Sequence, residues 1–206
     1  QGIEVTLAMT AFSMAIAAIL AIPLSLGKIY GPSPVRSACS AYIEFFRGTP
    51  LLAQLFIIYY GLPIIGLNFN SFVAAVIGFG LNSAAYQAEY LRGAIQAVQT
   101  GQMEAARSMG MNFTTALRRI VLPQAVRKVI PSWSNDVVYT LKYTSVAFMI
   151  GAQELTAKGK IMAAEHFRFT ETFLLVGIMY LIMVYIFTRG LKTLEKNVSI
   201  PGFEMR

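Results

Sequence analysis

Polar residues are so sparse along this chain that the apolar runs between them mark out its elements. Residues 5–26 carry no charge, with Pro23 near the end of the run, and no charged residue lies between Arg47 and Glu89. A helix needs about 20 apolar residues to cross a bilayer. The first run therefore predicts a span over 5–26, and the second interval predicts two, over 49–63 and 72–88. Pro63, Gly66, Asn68 and Asn70 supply the turn between them. Gly31, Pro32 and Pro34 predict a loop over 27–40, with residues 42–46 leading into the second span. Residues 89–128 are polar and read as helical. A fourth span over 129–152 is interrupted by Pro131, Asn135, Asp136 and Lys142. Residues 153–171 are polar again, and a fifth span covers 172–188. No internal repeat or low-complexity tract is visible. The expectation is an all-α membrane protein: one membrane domain over 1–206 with five transmembrane helices.

Composition agrees. Charged residues make up 13% of the chain, against about 25% in an ordinary soluble domain. Cys39 is the only cysteine, so no intramolecular disulfide forms. The net charge of +7 invites a nucleic-acid reading, but its distribution follows membrane topology instead. Lys28, Arg36 and Arg47 lie in the first loop. Arg92, Arg107, Arg118, Arg119, Arg127 and Lys128 lie in the 89–128 segment, and Arg189, Lys192, Lys196 and Arg206 in the C-terminal tail. With five spans these regions share one side and hold 13 of the 17 basic residues. The positive-inside rule makes that side cytoplasmic, so the N-terminus is expected outside and the C-terminus in the cytoplasm of a multi-pass cell-membrane protein. No basic leader precedes the first run, so no cleavable signal is read there. The run begins so abruptly that a short segment is expected before Gln1.

The polar segment contains Glu104-Ala105-Ala106-Arg107-Ser108-Met109-Gly110, followed by Ile120, Leu122 and Pro123. Ala105 and Ala106 favour a helix and let another surface approach closely. Gly110 suits the helix end, and Pro123 is tolerated in the first turn of the next helix. From the residues alone, this is either an amphipathic helix lying on lipid or a docking helix for a partner. The order Glu-Ala-Ala, three residues, Gly, nine residues, Ile, one residue, Leu-Pro resembles the cytoplasmic "EAA" loop of importer-type ABC-transporter permeases. Phe46-Arg47-Gly48-Thr49-Pro50-Leu51-Leu52 with Gln54 and Leu55, Gly101-Gln102, Leu122-Pro123-Gln124-Ala125, and Leu141-Lys142 with Thr144-Ser145 resemble the polar amino acid uptake branch of that family.

The resemblance implies the type I importer transmembrane fold. It also implies a coupling helix whose docking residues are Glu104, Ala105, Ala106 and Gly110, with Arg107 as a charge partner. The implied partners are a separate ABC ATPase subunit in two copies, which binds the ATP, an extracytoplasmic amino-acid-binding protein, and a second permease chain, identical or paralogous. No nucleic acid is implied.

Ionisable groups inside a membrane are costly and mark pathways or paired structural sites. Asp136 is a candidate counter-charge for a substrate ammonium or guanidinium group, the alternative being a structural partner on a neighbouring helix. In related permeases an acidic residue at this place lies near the bound amino acid, which the resemblance carries over to Asp136. Asn135, Asn82 and Gln54 are further candidate substrate contacts, with interhelical hydrogen bonding as the alternative. Lys142 fits a gate or a structural ion pair. Relatives often carry an acid at the position of Tyr143, so a cationic substrate is not assigned. His166 reads as a surface residue, and no metal site is expected. The chain has no GxxxxGK[ST] loop and no nucleophile triad, so it is expected to be no enzyme and to hold no cofactor. The rival class is an ion-coupled transporter or channel with Asp136 and Lys142 as the coupling site.

Overall fold

The structure, a computed structural model, describes residues 1–98 and 100–198; Arg206, counted above in the basic tail, lies outside them. Among the described residues every regular element is helical. Two long helices form the spine: α1 (Gly2–Tyr30) and α4 (Ser71–Gln96). They pack through small and flexible residues. Thr6, Met9, Ser13, Ala17 and Ala21 are buried on α1, and Ala74, Ala75, Gly78, Ala84 and Ala88 on α4. Small side chains let helix backbones approach where lipid provides no hydrophobic drive between them. The Ser13 hydroxyl donates to the Val76 carbonyl at 3.2 Å. A Cβ on Gly80 would lie 2.9 Å from Ile16 Cγ2.

The expected loop over 27–40 is a correction. α1 continues to Tyr30 and α2 (Ser33–Gly48) begins two residues after Gly31, so only a tight reversal separates them. Pro32 stands just before α2 and Pro34 in its first turn, where a missing N–H costs nothing. The second expected span is not straight. α2 meets α3 (Leu51–Phe56) at a bend, and α3 runs on through a π turn (Ile57–Gly61) and a 3₁₀ turn (Leu62–Ile65). The two arms are inclined by 106°. Pro50 starts the new arm and breaks continuity at Thr49.

α4 outlasts the expected 72–88 and carries Glu89 and Arg92 within the same helix. α5 (Thr100–Ser108) follows, then α6 (Phe113–Ala116), which passes through a π turn (Leu117–Val121) into α7 (Leu122–Tyr143). The fourth expected span is corrected at both ends. The helix starts at Leu122 and stops at Tyr143, where a 3₁₀ segment (Thr144–Ile150) takes over and ends on Gly151 at φ 83°. α8 (Leu155–His166) lies in the segment read as polar, and α9 (Phe169–Val198) closes the chain.

Among the described residues two helices, α1 and α9, are individually long and apolar enough to cross a membrane, and α2 with α3 qualifies only as a bent pair. At 1.5 Å per residue, α4 and α7 reach about 39 and 33 Å. Asn82, Ser83 and Gln87 of α4 and Ser134, Asp136 and Thr140 of α7 are buried, whereas Arg127, Asn135 and Lys142 of α7 are exposed. α9 instead exposes Leu174, Leu175, Leu181, Ile182 and Ile186, the surface expected of a helix whose solvent is lipid.

The sequence passed over Glu154, which is fully buried. Its Oε1 accepts from the Ala157 N–H and its Oε2 from the Thr156 N–H and the Tyr180 hydroxyl, each at 2.8 Å. The Leu155 N–H donates to Thr6 Oγ1 at 3.2 Å. One carboxylate thus caps α8 and fastens it to α9, while the neighbouring amide fastens it to α1.

Candidate substrate cavity and coupling loop

The bend after α2 leaves carbonyls at the end of α2 without their helical donors, and a polar group buried without a partner costs about 1–3 kcal/mol. Gln54 and Asn82 supply the partners. Gln54 Nε2 lies 2.9 Å from the Phe46 carbonyl, 3.1 Å from the Thr49 carbonyl and 2.7 Å from Thr49 Oγ1. Asn82 Nδ2 donates to the same Phe46 carbonyl at 2.9 Å and to Gln54 Oε1 at 3.0 Å. Gln54 is therefore turned into the bend and does not line the cavity beside it. Asn82 does both.

That cavity, about 310 Å³, lies between α4 and α7 under the start of α3. Leu51, Phe79, Asn82, Tyr86, Tyr90, Asp136, Tyr139, Thr140 and Tyr143 line it. Phe79, Asn82, Tyr86 and Tyr90 repeat at helical spacing along α4, and Asp136, Tyr139, Thr140 and Tyr143 do so along α7. Tyr86, Tyr90 and Tyr139 were missed in the sequence, and Tyr143 was noted there without being placed in a site. The two stripes were legible, but only the pairing of α4 with α7 makes one wall face the other.

Asp136 is buried, and its neighbours are neutral. Ser83 Oγ donates to Oδ2, and Gln87 Nε2 donates to the same oxygen at 3.0 Å. Gln87 also reaches Ser83 Oγ at 3.1 Å. Among the described residues Oδ1 accepts no hydrogen bond and no cation pairs with the carboxylate. Asn135, one residue earlier, is exposed and lies outside the cavity. Lys142 does not pair with Asp136: its Nζ sits 4.5 Å from the centroid of the Tyr139 ring. The two residues of the ion-coupled alternative therefore do not meet.

Just beyond the uncharged stretch of α4, Glu89 gathers cations from three helices. Lys28 approaches at 3.0 Å, Arg92 at 2.8 Å and Arg47 at 3.8 Å. The hydrogen-bonded Arg92, with Lys28 in support, holds the Glu89 carboxyl below the usual carboxylate range against the opposing effect of burial. Arg47 also lies over the Tyr86 ring, 5.2 Å from its centroid.

In the polar segment, α5 ends on a Schellman turn. The Gly110 N–H donates to the Arg107 carbonyl at 2.9 Å and the Met111 N–H to the Ala106 carbonyl at 3.1 Å, with Gly110 at φ 82°. Glu104, Ala105 and Arg107 are exposed, whereas Ala106 is 2% exposed. Ala106 therefore fixes the helix on the protein while the other three face outward. α5 packs on α6 and the π turn, and Leu117 and Val121 of that turn join Leu91 and Ile95 of α4 and Ala125 of α7 in one core cluster. The π turn thus links α5 to the two helices that line the cavity.

An all-helical bundle of this design is the transmembrane subunit of a type I ABC importer in its fold. A chain of an amino acid ABC transporter crystallised with histidines superposes with a TM-score of 0.89 at 36% identity, covering 95% of this chain and 92% of that one. The MetNI methionine transporter in an inward-facing form matches the fold with a TM-score of 0.83 at 22% identity, over 97% of this chain and 95% of that one. The chain belongs to the family of binding-protein-dependent transport system inner membrane components, which it matches over residues 13–200. The probable amino-acid ABC transporter permease protein PatM of Vibrio harveyi is 43% identical over 187 residues, 89% of this chain and 84% of that protein. The probable amino-acid permease protein YxeN of Bacillus subtilis (strain 168) is 39% identical over 204 residues, 98% of this chain and 91% of its own length.

Proposed function

We propose that this chain is the permease subunit of an ATP-driven importer of polar amino acids. It crosses the cell membrane five times, with α5 on the cytoplasmic side and the N-terminus outside. It takes substrate from an extracytoplasmic binding protein, pairs with a second permease chain, and engages an ABC ATPase, two copies per complex, through Glu104, Ala105, Arg107 and the Gly110 turn. The observation that carries the proposal is mechanical continuity: the exposed α5 packs on the π turn, which shares one core cluster with α4 and α7, the two helices that enclose the Asp136 cavity. Relatives named as amino-acid ABC transporter permeases support the substrate class. Inside the cavity, Asp136 serves as the counter-charge for a substrate ammonium group, with Asn82 beside it.

The test is reconstitution with the ATPase. Glu104→Lys and Gly110→Pro should abolish ATPase association and uptake while the protein still inserts, and Asp136→Asn should weaken stimulation of ATP hydrolysis by substrate. Uptake that survives the loop variants and follows an ion gradient would refute the importer assignment. Unchanged stimulation in Asp136→Asn would assign that carboxylate to structure alone.

A further inference from the structure

Charge is out of balance at two places beside the same cavity, with opposite signs. Asp136 is a buried carboxylate whose neighbours, Ser83 and Gln87, supply hydrogen bonds but no positive charge. A buried charge without a counter-charge is costly. The Glu89 cluster has the reverse surplus: three cations surround one carboxylate. Lys28 and Arg92 hold Glu89 at 3.0 and 2.8 Å and satisfy it. Arg47 stands off at 3.8 Å, donates no hydrogen bond to any described residue, and keeps 42% of its side chain exposed. Its guanidinium lies over Tyr86, whose ring is part of the cavity wall.

The lining itself contains one charged residue, Asp136, and no cation. An α-amino acid bound with its ammonium group at Oδ1 needs a partner for its carboxylate. Arg47 and Lys142 are the cations that rest on tyrosines of the wall. Lys142 offers a point charge on an exposed side chain. Arg47 offers a planar fork that matches a carboxylate in two parallel hydrogen bonds, and the surplus charge of Lys28 and Arg92 stands behind it.

We propose that Arg47 receives the substrate carboxylate while Asp136 receives its ammonium group, so that the cavity selects net-neutral, zwitterionic amino acids. This rests on the assignment of the Asp136 cavity as the substrate site, and it gives the Phe46-Arg47-Gly48 stretch a role beyond ending α2. A second positive charge on the ligand would find no second carboxylate in the lining. Tyr143 stands in that wall. A negatively charged side chain would meet Asp136.

The experiment uses the permease assembled with its ATPase in lipid nanodiscs. ATP hydrolysis is titrated with the proteinogenic L-amino acids and with the α-carboxamide of each one that stimulates. Amino acids with uncharged side chains should stimulate most. Their carboxamides, which lack the negative charge, should need roughly ten- to a hundredfold higher concentration, as expected for losing a charge-assisted hydrogen-bonded pair. In Arg47→Gln the acid-to-amide ratio should collapse toward one. Arg47→Lys, which keeps the charge but not the fork, should be intermediate, and it carries the test if the glutamine variant does not assemble. Because the ratio is taken within each variant, differences in assembly or turnover cancel. An undiminished ratio in both variants, or stimulation confined to ligands of net positive charge, would overturn the inference. Asp136→Asn separates the two levels: weakened response to every ligand alongside an undiminished Arg47 ratio removes only the carboxylate assignment, whereas no change in Asp136→Asn removes the substrate site.

Discussion

Replacing Gln54 with leucine separates a structural role from a substrate contact at a residue where the sequence allowed both. The side chain sits in the bend between α2 and α3, with its amide nitrogen within hydrogen-bond distance of the Phe46 and Thr49 carbonyls and its oxygen bound to Asn82. In Gln54→Leu the Phe46 carbonyl keeps Asn82 as a donor, but the Thr49 carbonyl loses the donor it has. A buried carbonyl left unsatisfied costs about 1–3 kcal/mol, while interhelical hydrogen bonds in membranes average about 0.6 kcal/mol because the unfolded chain also finds partners. A net loss of about 2 kcal/mol follows from one orphaned carbonyl and one lost Asn82 contact. For a chain of this size each kcal/mol shifts the melting midpoint by about 2–4 °C, giving a fall of about 4–8 °C. Cys39 provides the assay. It is the only cysteine and is partly buried beside Gly27, so a thiol-reactive dye reports opening of the α1–α2 hairpin on heating. Substrate-stimulated ATP hydrolysis, measured below the new midpoint, should be retained. An unchanged midpoint together with lost stimulation would refute the structural role and return Gln54 to the substrate site.

Gly110→Ala should weaken ATPase association without any steric clash. No atom lies within 4 Å of the added methyl, but φ of 82° costs an alanine about 1–2 kcal/mol. Gly110→Asn should fall between, because asparagine accepts the left-handed region more readily, and a pull-down affinity series that failed to follow Gly, Asn, Ala would disprove the turn's role. Gly78→Ala should destabilise by about 1–3 kcal/mol through overpacking, since its Cβ would lie 2.5 Å from Cδ2 of the fully buried Leu55. Adding Leu55→Ala should recover part of that loss in the Cys39 labelling midpoint, and strict additivity of the two changes would show that they do not touch.

The sequence by itself determined the class of the molecule and the place of its candidate coupling loop. Apolar runs long enough to span are a property of composition and length, and Glu104 to Gly110 is contiguous in the chain, so no tertiary contact is needed to find it. The fifth span, over 172–188 within α9, was legible for the same reason. Breaks in helices were less legible. Gly31 and Pro32 do interrupt the chain, but Pro34 falls in the first turn of α2 and breaks nothing, because a helix tolerates proline at its start.

The cavity was decided by tertiary structure alone. Asp136 stood out in the sequence, but its true companions, Ser83 and Gln87, lie 53 and 49 residues away on α4. The tyrosines of one wall face those of the other only because small residues let α1 hold α4 against α7. Asn135 shows the same limit from the other side. Adjacent to Asp136 in sequence, it points elsewhere, since one step along a helix turns the side chain by about 100°. Asn82 and Gln54 were visible as polar residues in apolar spans, yet their use depends on the 106° bend that exposes the Phe46 and Thr49 carbonyls. Sequence periodicity locates faces on single helices. Which faces meet, and which buried charge is left without a partner, follows only from how the helices pack.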